Sequence, residues 1–157
     1  MSLAAPKAKA INGAAFKIGI VAARFNETLV DALLARAQAA LGAAGVKAQN
    51  IKVVRVPGSH EVPWAAQQLA ARGGRDCVVA LGVLIGGDTS HHEMVGQSVS
   101  HALQGIAVAT GVPVINGVIV ANTRAQAEAR CIGKIDRGAE FAHAAVEMAE
   151  LKTLFSR

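Results

Sequence analysis

Tyrosine is absent from this chain, and the remaining aromatics are four Phe and one Trp. So few rings suit helices packed closely on a sheet better than a surface for single-stranded nucleic acid, which needs exposed aromatics. The core must come from Ala, Val, Leu and Ile. Cysteine is nearly absent too: Cys77 and Cys131 lack the paired spacing of a zinc motif. Cys77 precedes the apolar run Val78, Val79, Ala80 and Leu81 and reads as a buried, reduced thiol. No run approaches the ~20 apolar residues of a membrane span. The N-terminus carries Lys7 and Lys9 but no apolar segment. No signal peptide is expected, and the cytoplasm is the expected location. Charged residues are only 17% against 52% hydrophobic, which excludes disorder.

What is present fits one domain of 157 residues, long enough to bury a core without staples. Lys and Arg exceed Asp and Glu, giving +5. The basic residues are scattered, so most read as a solvated surface, and an anion site needs only one or two of them. Residues 1–15 show no strong period and are expected to form a mobile arm or an edge segment. Residues 16–157 are expected to form the single domain. Short apolar, β-branched runs at 16–22, 51–56, 77–85 and 112–120 read as strands. Helical patterns lie between and after them, at about 26–44, 61–71, 90–110, 124–131 and 137–154. Gly45 ends the first helix, and Gly73 and Gly74 stop the second. This alternation predicts a parallel sheet covered on both faces. Ligands in such sheets bind beyond the carboxyl ends of the strands. The informative residues are therefore 24–26, 58–61, 86–92 and 116–122.

Segment 86–93, Gly-Gly-Asp-Thr-Ser-His-His-Glu, is the richest of these. Its glycines allow a sharp turn, and Asp88, Thr89 or Ser90 can cap the following helix. The exposed N–H groups at that helix start favour an anion such as phosphate, with the His91 imidazole beside it as acid or base. An ordinary N-cap with two surface histidines explains the same residues. His91 and His92 point about 100° apart on a helix and make a poor metal pair. Glu61 either accepts from ligand hydroxyls or caps its helix. Phe25 either stacks on a planar ligand or staples a helix start.

In combination, these segments resemble a known family. Ala23-Arg24-Phe25-Asn26, the run 56–63 (VPGSHEVP), the run 82–91 (GVLIGGDTSH), Gly111-Val112-Pro113-Val114 and Glu128-Ala129-Arg130 look like lumazine synthase. The resemblance runs in register from about Phe16 to Phe155. It implies a flavodoxin-like, three-layer αβα sandwich around a central four-stranded parallel sheet. It implies a transferase of riboflavin biosynthesis, condensing 5-amino-6-(D-ribitylamino)uracil with 3,4-dihydroxy-2-butanone 4-phosphate. The product is 6,7-dimethyl-8-ribityllumazine, and no cofactor or metal is implied. By position, Phe25 stacks on the pyrimidine. Ser59, His60, Glu61 and the backbone of Val83, Leu84 and Ile85 line the ribityl pocket. Asp88 and Thr89 match the phosphate-binding turn, His91 the proton-transfer histidine, and Arg130 a phosphate-binding arginine that reaches a neighbouring subunit's site.

Four positions depart from the family pattern. Gly86 stands where Arg or Lys is common, His60 where an aromatic residue or Ala is common, and His92 where Phe or Tyr is usual. Asn116 stands at a usual Phe, on the far side of the pyrimidine pocket. Asn116 and His92 keep open a second reading, a non-catalytic lumazine- or flavin-binding paralogue, and a third is a shell scaffold with a decayed site. The resemblance further implies a homo-pentamer with shared active sites, and riboflavin synthase as a protein partner. Some members pack pentamers into an icosahedral shell. The short break at 133–136 and the arm at 1–15 favour that shell over a free pentamer. No nucleic-acid or membrane partner is expected.

Overall fold

The computed structural model describes residues 4–156. Its sheet has four parallel strands, β1 (Ile18–Ala23), β2 (Ile51–Val56), β3 (Cys77–Ile85) and β4 (Val114–Ala121), in the order β2-β1-β3-β4. Five helices connect and follow them: α1 (Glu27–Ala43), α2 (Val62–Arg72), α3 (His91–Thr110), α4 (Arg124–Cys131) and α5 (Arg137–Phe155). This is the expected three-layer α/β sandwich. Strand and helix ends fall within a few residues of the sequence reading.

Strand burial follows position in the sheet. Every residue of the central β1 is buried, whereas the edge strands β2 and β4 are only partly covered. Alternation sends Ile18, Ile20 and Ala22 to one face, and Val21 and Ala23 to the other. The first face packs on Leu29, Leu33, Ala37 and Leu41 of α1 and on Phe141, Ala145 and Val146 of α5. The second packs on Val62, Ala66 and Leu69 of α2 and on Val95, Val99 and Leu103 of α3. With so few large side chains, the layers close by near backbone contact. A Cβ at Gly138 would lie 2.6 Å from the Leu33 carbonyl oxygen, so glycine there lets α5 cross α1 closely.

Both cysteines are buried and free. Burial pushes the Cys131 thiol up to about 11, although Arg36 and Arg130 pull against it, and burial also raises Cys77. A raised acid means that the unfolded chain ionises first. These thiols therefore contribute stability below about pH 8.5 that fades as the pH rises toward 11. A thiol-reactive disulfide reagent at pH 8 is expected to leave both untouched in the native protein and to modify both after unfolding. Rapid modification of the native protein is the contrary result.

The connections place the site. From β1 the chain crosses by α1 on one face to β2, then by α2 on the other face to β3. The connections therefore diverge between β1 and β3, opening a crevice at their carboxyl ends.

Candidate active site

A cleft of about 480 Å³ occupies that crevice. Its wall collects Phe25 and Asn26 after β1, Gly58 to Glu61 after β2, Val83 to Ile85 at the end of β3, Gly87 and Thr89 beyond it, and His91, His92 and Val95 of α3. The structure thus brings Phe25, Ser59, His60, Glu61, Val83, Leu84, Ile85, Thr89 and His91 to one place.

Local contacts explain how each is held. The Arg24 N–H donates to the Val56 carbonyl at 2.9 Å, and the Phe25 N–H donates to Pro57 at 3.1 Å. The Phe25 ring is 72% exposed, free to cover a flat ligand rather than to fill the core. A Cβ at Gly58 would lie 3.1 Å from both that ring and the Glu61 carboxylate, so a larger residue in this turn would have to push both side chains aside by a few tenths of an ångström. Asn26 begins α1 in the left-handed region (φ 56°), and its Nδ2 donates to the Val83 carbonyl at 2.8 Å. That bond ties the β1 turn to β3 across the crevice.

Glu61 uses one oxygen to accept the Gly58 N–H at 2.9 Å, while its other oxygen lies 4.0 Å from His60 Nδ1. Glu61 thus closes its own turn, as the capping reading expects, and its second oxygen stays at the cleft. Among the described residues, Ser59 is the one buried polar residue, and its hydroxyl has no hydrogen-bond partner there. A Cβ at Gly82 would lie 2.4 Å from that hydroxyl, so Gly82 makes its room. An unpaired buried hydroxyl costs about 1–3 kcal/mol, a cost that a hydrogen-bonding ligand relieves.

Ser90 stands at the N-cap of α3 without a side-chain capping bond. The expected cap is not made, so the first N–H groups of a 20-residue helix stay available at the cleft's rim. His91 is exposed at this helix start.

Three expected residues lie elsewhere. Asp88 is exposed and is not part of the cleft wall. Asn116 sits inside β4, paired with Ala80, five residues short of the strand's carboxyl end at Ala121. Of the residues 116–122 counted as lying beyond the fourth strand, only Asn122 does, and the strand reading of 112–120, which already included Asn116, is the one that holds. Asn116 instead lines a separate cavity of about 370 Å³ with residues 4–8 of the arm, Arg137 and Glu147. Arg130 lies on α4, where its Nη1 donates to the Gln126 carbonyl at 2.8 Å. The sequence reading marked 24–26 as informative but gave Asn26 no place in the site, although it is a wall residue.

An all-parallel sheet with an open crevice of mixed polar and apolar lining at its switch point, and an imidazole beside free helix-start N–H groups, defines an α/β enzyme for a small substrate. Comparison with known proteins gives the particular family. The sequence profile of 6,7-dimethyl-8-ribityllumazine synthase matches residues 15–153. A protein of that name from Polaromonas sp. (strain JS666) is 42% identical over 141 residues, covering 90% of each chain. One from the archaeon Thermococcus gammatolerans is 40% identical over 139 residues, covering 88% of this chain and 89% of the relative. One from the fungus Pyricularia oryzae is 39% identical, covering 87% and 88%. The chain belongs to the 6,7-dimethyl-8-ribityllumazine synthase family and is a transferase of riboflavin biosynthesis. Among the described residues, no group of His, Cys, Asp and Glu is arranged to hold a metal, and no helix is long and apolar enough to cross a membrane.

Proposed function

We propose that the switch-point cleft condenses 5-amino-6-(D-ribitylamino)uracil with 3,4-dihydroxy-2-butanone 4-phosphate, with His91 moving the protons. The observation that carries this reading is the gathering of an exposed ring, an unpartnered hydroxyl, a carboxylate and an imidazole around one crevice. Phe25 covers the pyrimidine. Ser59, His60, Glu61 and the β3 segment from Val83 to Ile85 take the ribityl chain. Thr89 and the open N–H groups of α3 hold the phosphate, with Asp88 shaping the turn. Amine addition to the ketone, phosphate loss and ring closure all move protons near neutral pH, and imidazole is the side chain suited to give and take them there. Mixing the two substrates and following lumazine absorbance tests the reading. Product formation at only the spontaneous rate overturns it.

Arg130 and Asn116 lie outside the cleft of their own chain, and this supports a site completed by a second copy. Arg130 then grips phosphate, and Asn116 closes the pyrimidine side. A closed pentameric ring satisfies this for every subunit, since each gives one half-site and receives the other. The surface of α3 supports the same reading, because after Glu93 no residue of this exposed helix is charged. Light scattering is expected to show pentamers, packed further into a shell. A monomer contradicts the shared site, and a lone pentamer contradicts only the shell. Riboflavin synthase is the proposed protein partner, and the two reduced thiols fit a cytoplasmic setting.

A further inference from the structure

We propose that His92 is a positioning residue for the anion-binding turn, a role that rests on the reading of residues 86–91 given above. The turn leaves the sheet at Gly86, whose N–H donates to the Ala121 carbonyl at 2.8 Å. It re-enters regular structure at α3, where the His92 ring folds back over this stem. His92 Nε2 lies 3.4 Å from Asn122 Oδ1. A Cβ at position 86 would lie 3.2 Å from that same Nε2 and 2.6 Å from the Asn122 carbonyl oxygen. The Asn122 backbone is the nearest obstacle to a side chain at position 86 and the imidazole the next, so glycine lets the end of β4 and the ring both close on the stem. Asn122 is itself held, since its N–H donates to Gln126 Oε1 at 2.8 Å, and Gln126 belongs to the N-terminal cap of α4.

The result is a clasp. The base of the turn is pinned to β4, its far end is pinned by His92, and Thr89 lies between. Among the described residues, the covered Nδ1 of His92 has no partner, so Asn122 is the ring's one hydrogen-bond anchor there. His92 acts through the turn and through its neighbour His91 rather than on the reacting atoms. Loosening the clasp disorders the phosphate site before it affects the opposite wall, where the ribityl-pyrimidine sits.

The test compares His92→Leu and Asn122→Ala, singly and combined. Each single change is expected to raise KM for the butanone phosphate about three- to tenfold, with kcat and the other substrate's KM within about twofold. The combined variant is expected to be no worse than the weaker single one, because both remove one contact. His92→Gln keeps a side-chain N–H and is expected to recover most of the affinity. Calorimetry with inorganic phosphate as the probe is expected to show the same weakening. Equal rises in both KM values, additive losses, or unchanged phosphate binding in folded variants overturn the role. If His92→Leu fails to fold, Asn122→Ala removes the same contact from its other side and carries the same expectation. A wild-type protein without turnover overturns the functional reading alone, while the phosphate titrations still decide the role of His92.

Discussion

His91→Ala is expected to lower kcat about 100-fold while leaving both KM values within about threefold. The estimate sits at the low end of the ~10²–10⁴ supplied by a positioned acid or base. Two structural facts keep it there. His91 is one part of the cleft wall, and the rest of that wall, from Phe25 and Ser59 to Glu61 and the end of β3, is untouched by the change, so most positioning survives. The open N–H groups of α3 and the hydroxyl of Thr89, to which the proposed function gives the phosphate, are also unaffected by the change. His91 stands exposed at the helix start. Its loss therefore leaves no core cavity, and the melting temperature is expected to stay within about 2 °C. Steady-state kinetics with each substrate varied in turn checks the prediction. Loss confined to KM would make His91 a binding group rather than the proton carrier. A wild-type rate would remove it from the reaction.

The fold was legible because its signals are local. The all-apolar run at 77–85 reads as a central strand, and so it is, while the partly polar run 51–56 is an edge strand. The crevice was legible from the order of elements, since alternating strands and helices place chemistry at the carboxyl ends. Contacts that join distant segments were not legible. Arg36 donates to the carbonyls of Gly133 and Ile132, at 3.0 and 2.7 Å, from 97 and 96 residues away, and this clamps the break between α4 and α5. Nothing local to Arg36 marks it as a clamp. Gly86 and His92 read as two unrelated departures from the family pattern, whereas in space the ring fills the room beside the glycine. Asn116, counted among the residues beyond the fourth strand, lies within it beside Gly117. In β4 that glycine answers packing, since a Cβ there would lie 2.7 Å from the Ala80 carbonyl oxygen and 2.9 Å from the Phe141 ring.

Arg130→Lys is expected to raise KM for the butanone phosphate about tenfold, and Arg130→Ala about 100-fold, with little change for the ribitylaminouracil. The fork of an arginine can bind two phosphate oxygens, whereas a lysine offers a point charge. A charge-assisted hydrogen bond is worth about 1.5–3 kcal/mol, or roughly 10- to 150-fold in affinity. Within its own chain, Arg130 spends one nitrogen on the Gln126 carbonyl and does not line the cleft. If it acts, it acts on a neighbour. Complementation separates this from a role within one chain. His91→Ala and Arg130→Ala, each impaired alone, are co-expressed so that they assemble in mixed rings. Where a subunit with intact His91 meets a neighbour with intact Arg130, a complete site forms. Random mixing at equal amounts makes roughly a quarter of the sites complete, so about a quarter of the wild-type rate is expected to return. An Arg130 that served its own chain would restore nothing, because every subunit in the mixture lacks one of the two residues. Unchanged phosphate affinity in Arg130→Ala would leave it an exposed helix arginine with no part in the site.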